Sequence, residues 1–141
     1  MIVLVARMVF PFAFVLAIGL WAKGYAAVGD GFSAGATAGL GAMIQFVCRE
    51  HREAARAVGA RWAWHLATSG LLLTVAVAVT PVFFGAAPVT HLPRAGGQVI
   101  KIGVVDLHTA LLFDLGVGVA VYGVLIGIFD RLFPPWRGES L

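Results

Sequence analysis

Asp114 lies inside an apolar run, Leu107–Ile128, with Phe113 and Leu115 on either side. A carboxylate in such a run is costly in lipid, so it must face protein or water. Just before it come Lys101, Asp106, His108 and Thr109. Read as one helix, Asp106 and Thr109 share a face three residues apart. Asp106 and His108 then sit near an interface, where hydration lowers their cost, and the imidazole of His108 is a side-chain type suited to proton exchange. Counted from Val104, Asp114 is ten residues along, about 15 Å of helix, which is near the middle of a hydrocarbon core about 30 Å thick. The chemistry available to this set is proton transfer or cation binding within a membrane. The plainer alternative for Asp114 is a structural bond to a neighbouring helix or subunit.

A second group opens another apolar run. Gly29, Asp30, Gly31, Gly35, Gly39 and Gly41 fall in one stretch. It lacks the Lys-Ser/Thr ending of a phosphate loop. Gly29 and Gly31 suit a tight turn, and Gly35 and Gly39 suit close helix contact. Asp30 reads as a helix cap or as an outward-facing cation site. Gly116, Gly123 and Gly127 give the last apolar run a small-residue face of its own.

The elements carrying these residues follow from composition. The chain has 141 residues, 60% hydrophobic and 12% charged, and its mean hydropathy is +0.94. A soluble domain carries roughly 25% charged residues. The apolar blocks approach the roughly 20 residues that cross a bilayer, and only helices satisfy their own backbone there. The expected fold is an all-α integral membrane protein, one membrane domain over residues 1–141. Its spans are Val3–Ala22, Phe32–Cys48, Trp62–Phe84 and Val104–Phe129. The first is expected to be a retained helix, since no basic region precedes it and more membrane sequence follows.

Between the second and third spans, Arg49, Arg52, Arg56 and Arg61 crowd a short connection. Positive residues stay inside, so this loop and both termini are expected in the cytoplasm, with Arg7, Arg131 and Arg137. The other two loops, with Lys23, Arg94 and Lys101, then face outside. Trp62, Trp64 and His65 form an interfacial belt. The four histidines (His51, His65, His91 and His108) lack metal-ligand spacing, Cys48 has no partner for an internal disulfide, and no nucleophile–base arrangement stands out. Neither a cofactor nor a metal is expected, nor nucleic-acid binding at a net charge of +3. The chain reads as a component of a larger membrane assembly and not as an enzyme.

Two segments resemble a known family. His108-Thr109-Ala110-Leu111-Leu112-Phe113-Asp114-Leu115-Gly116-Val117 is similar to the Thr-x-x-Leu-Phe-Asp-Ile/Leu-Gly-Val segment of the B-type (MnhB) component of the multisubunit Mrp/Mnh-type Na+/H+ antiporters. Gly24 to Gly35 resembles that family's glycine-rich segment, keeping Gly29, Gly31, Phe32 and Gly35. It has Tyr25 for the usual histidine, Val28 for proline, and Asp30 and Ala34 for glycines. The resemblance, over about residues 7–131, implies an accessory component of a complex in a bacterial or archaeal cell membrane. Larger subunits would carry the main proton channels, and the complex would exchange Na+ for H+. Asp114 becomes the first candidate for an ion route, with Asp30, His108 and Asp106 behind it. Related B-like components also occur in membrane-bound hydrogenase complexes, so a purely structural role in a related assembly stands as the alternative.

Overall fold

The computed structural model describes residues 1–23, 30–83, 85, 101–102, 105–106 and 109–133, the segment 101–109 by backbone alone. Its elements are α1 (Ile2–Lys23), α2 (Asp30–Cys48), α3 (His51–Val58), a 3-10 turn (Ala60–Trp62), α4 (Ala63–Phe83), β1 (Lys101–Ile102), β2 (Val105–Asp106) and α5 (Thr109–Leu132). Among the described residues four helices are long and apolar enough to cross a membrane, and the architecture is all-helical apart from one strand pair.

The helices stand in the order α1, α2, α5, α4. Among the described residues α1 does not touch α4. Half of the most apolar stretch of α2 is buried, against 11% in α1 and α4, so α2 and α5 form the centre and the other two the flanks. Small residues set these contacts. A Cβ on Gly35 would strike the Gly118 carbonyl, and one on Gly123 would lie 2.7 Å from the Ala63 carbonyl oxygen. One on Gly70 would lie 2.6 Å from the Gly116 carbonyl oxygen. Without a hydrophobic force between helices in lipid, such backbone approach supplies the packing.

The threonine hydroxyls of α4 are satisfied locally. In α4 the hydroxyls of Thr68, Thr74 and Thr80 each donate to the carbonyl four residues back, at 2.9, 2.9 and 2.7 Å. This removes the cost of a bare hydroxyl in an apolar medium.

Two expectations change. The connection 49–61 is not a plain loop: it contains the amphipathic helix α3, whose Ala54 and Val58 join Ala42, Phe46, Ala63 and Ile126 in one apolar cluster. Gly59 ends this helix in the left-handed conformation (φ 73°), its N–H donating to the Ala55 and Arg56 carbonyls. The last span begins at Thr109 and not at Val104, because Val105 and Asp106 pair as a strand with Ile102 and Lys101. Asp106 is therefore not on the helix with Thr109. It is the register partner of Lys101 across the hairpin.

Candidate functional site

Asp114 is the site's centre. With α5 starting at Thr109, it lies five residues in, about 7.5 Å along the axis. It belongs to the first part of the helix and not to its middle, as a start at Val104 suggests. It is 3% exposed. On the α2 side, Gly31 lies directly against the Asp114 main chain, where any Cβ would collide. Gly118, one turn on, sits against the Gly31 carbonyl, at 3.0 Å from where its own Cβ would be. Glycine at 31 thus permits the approach that closes α2 over the carboxylate-bearing turn.

Asp30 is the first residue of α2 and the immediate neighbour of Gly31. The same helix crossing therefore brings Asp30 and Asp114 to one end of the bundle. Asp30 is half-buried, and its Oδ2 is buried with no hydrogen-bond partner among the described residues. Its main-chain carbonyl accepts a bond from the Ser33 hydroxyl at 2.9 Å. A carboxylate in the first turn of a helix sits in the favourable field of the helix dipole. Trp21 closes the same end from α1, its indole N–H donating to the Leu111 carbonyl at 3.4 Å. What this arrangement offers chemically is two carboxylates, held by close backbone contact, at one end of an apolar slab.

The remaining sequence candidates separate from this pair. His108 lies outside the described residues, as do the Thr90–Pro93 loop and Gly29. Asp106 is placed by its backbone on β2, opposite Lys101. Of the glycines, Gly35, Gly39, Gly116 and Gly123 all meet neighbouring helices at distances no Cβ tolerates, Gly39 against the Leu125 side chain and Gly116 against Thr74. Gly127 differs: a Cβ there would find only the Ala63 Cβ at 3.7 Å, an ordinary contact.

At the opposite end stands a polar network that neither hydropathy nor motif announces. Gln45, 1% exposed, donates from Nε2 to the Ala6 carbonyl. Its Oε1 accepts from Arg49 at 3.1 Å, and Arg49 donates again to Glu53 at 3.0 Å. Arg7 reaches the same Glu53 oxygen at 3.6 Å. The Arg49 guanidinium, by hydrogen bond and then by charge, holds the Glu53 carboxyl below its usual range. His51 approaches Asp130 at 3.3 Å, and the Tyr122 hydroxyl donates to the Val58 carbonyl at 3.2 Å. The one signal in the sequence is the four-residue spacing of Gln45, Arg49 and Glu53 across a helix boundary. These contacts place the start of α1, α3 and the end of α5 at one end of the bundle.

Four membrane-length helices among the described residues, with Asp114 buried where α5 meets α2, define a membrane protein. Over residues 1–127 the chain matches the family described as "Domain related to MnhB subunit of Na+/H+ antiporter", and it belongs to that family. It is also similar to a probable K(+)/H(+) antiporter A/B subunit of Rhizobium meliloti (strain 1021), with 33% identity over 132 residues. That match covers 91% of this chain and 13% of the relative, so the chain corresponds to a small part of that protein's length.

Proposed function

We propose that this chain is the B-type membrane component of a multisubunit cation/proton antiporter, and that Asp114 contributes to its ion route. Family membership supports the first part. The observation that carries the second is the burial of Asp114 under Gly31, beside Asp30, where a carboxylate has no purely apolar use. No resident cofactor is needed in this reading, because the transported ions are themselves the substrates. Na+ is the cation the family description names, and K+ is a second reading favoured by the name of the Rhizobium relative. The host would be a bacterial or archaeal cell membrane. Arg7, Arg49, Arg52, Arg56 and Arg61 belong to segments meeting at one end, which the positive-inside rule assigns to the cytoplasm with both termini. The exposed apolar flanks of α1 and α4 are the surfaces for neighbouring subunits.

The test is cation-dependent ΔpH exchange in vesicles holding the whole complex, wild type against Asp114→Asn, with complex content quantified and Na+ and K+ supplied separately. Lost exchange at normal complex content supports the route. Unchanged exchange leaves the chain as a structural component of its assembly.

A further inference from the structure

We infer that the arginine end of this protein holds one anionic phospholipid of the bilayer, its phosphate between Arg56 and Arg61 and an acyl chain in the groove between α1 and α5. Three adjoining cavities carry this. The first, about 440 Å³, is bounded by Arg56, Gly59, Arg61 and Trp62. It shares Arg56 and Gly59 with a second, about 570 Å³, whose floor includes Phe10, Phe14 and Tyr122. That one shares Phe14 and Tyr122 with a third, about 210 Å³, lined by apolar side chains along α1, α2 and α5 as far as Trp21. Through these shared residues the three cavities adjoin, with arginines at one end and apolar side chains along the rest.

Charge favours a lipid headgroup at the cationic end. Arg7 and Arg49 are engaged by Glu53, whereas Arg56 and Arg61 have no carboxylate partner among the described residues. Arg61 lies over the Trp62 ring, 5.2 Å from its centroid, which orients the guanidinium beside an exposed, interface-seeking indole. Ala63, the first residue of α4, already packs on Gly123 and Gly127, so the two arginines stand at the level where that helix enters the bilayer. Basic pockets at that level recognise anionic headgroups. From Phe10 to Trp21 the α1 wall runs about 16 Å at 1.5 Å per residue, room for an acyl chain that passes from the arginine end into a core about 30 Å thick.

The experiment uses the full-length chain, with whatever subunits co-purify, in phosphatidylcholine vesicles. These contain a trace of phosphatidylglycerol, or in parallel of phosphatidylcholine, bearing a photoreactive group at the acyl terminus. Labelled peptides are mapped by mass spectrometry. The expected result is labelling at 115–122 of α5, inside the groove, with phosphatidylglycerol preferred. Arg56→Gln and Arg61→Gln, both on the surface, should each lower that preference about fivefold. Ile18→Trp, which fills the groove from its exposed α1 wall, should suppress labelling by both lipids. Equal labelling by the two lipids, a preference unchanged in both arginine variants, or a photoreactive residue at position 18 that captures another subunit in place of lipid would each overturn the assignment.

Discussion

Asp114 and Glu53 are both acidic, and their surroundings give them opposite work. Asp114 is closed under the backbone of α2, whereas Glu53 is half exposed and serves two arginines. Glu53 is held below its ordinary value of 4.5, chiefly by Arg49. A carboxyl lowered by folding contributes stability that is complete above that ordinary value and is lost as pH falls through the lowered one. Thermal unfolding in detergent should therefore show wild type more stable than Glu53→Gln at pH 7, with the two Tm values converging as pH falls through the lowered value. A gap that persists at acid pH would mean that the charge is not the cause. Gln45 acts at the same scale. Gln45→Leu removes an acceptor from Arg49 and a bond to Ala6, and should lower stability by about 1 kcal/mol, near the typical worth of an interhelical polar contact. An unchanged Tm would contradict this.

Among the helices, the glycine contacts sort into two kinds. A methyl group at position 123 meets the backbone of α4, which cannot move aside, while one at 127 meets only a methyl at 3.7 Å. Gly123→Ala should cost roughly 1–3 kcal/mol through overpacking. Gly127→Ala should be neutral or slightly stabilising, since alanine is the better helix former. Yield and Tm of the two purified variants, compared side by side, decide this, and equal behaviour would remove the distinction. Gly35→Leu, directed at Gly118 and Val121, should reduce assembly more than either.

The described helices form a row, with no contact between α1 and α4. That leaves α1 and α4 with exposed apolar faces, as expected of a protein whose lipid and protein neighbours complete it. Its orientation is open to a direct test. In a Cys48→Ala background, Arg52→Cys should react with a membrane-impermeant thiol reagent only when the cytoplasmic face is accessible, because α3 carries the arginine cluster. Labelling from the outside alone would reverse the topology.

Hydropathy alone located the four membrane-length helices, because burying a backbone in lipid demands long apolar helices and little else. Family-like residues around Asp114 were legible because they are contiguous in the chain. The onset of α5 was misread because Val104 and Val105 are apolar, and a short apolar run does not distinguish a strand from a helix. The helix α3 was missed because only two of its residues, Ala54 and Val58, are buried. What tertiary structure alone decided is the order α1, α2, α5, α4, and with it the meeting of Gly31 with Asp114 and of Gln45 with Ala6. Helix association in lipid depends on which small surfaces fit at backbone distance, and that fit is a property of pairs of helices rather than of any one segment.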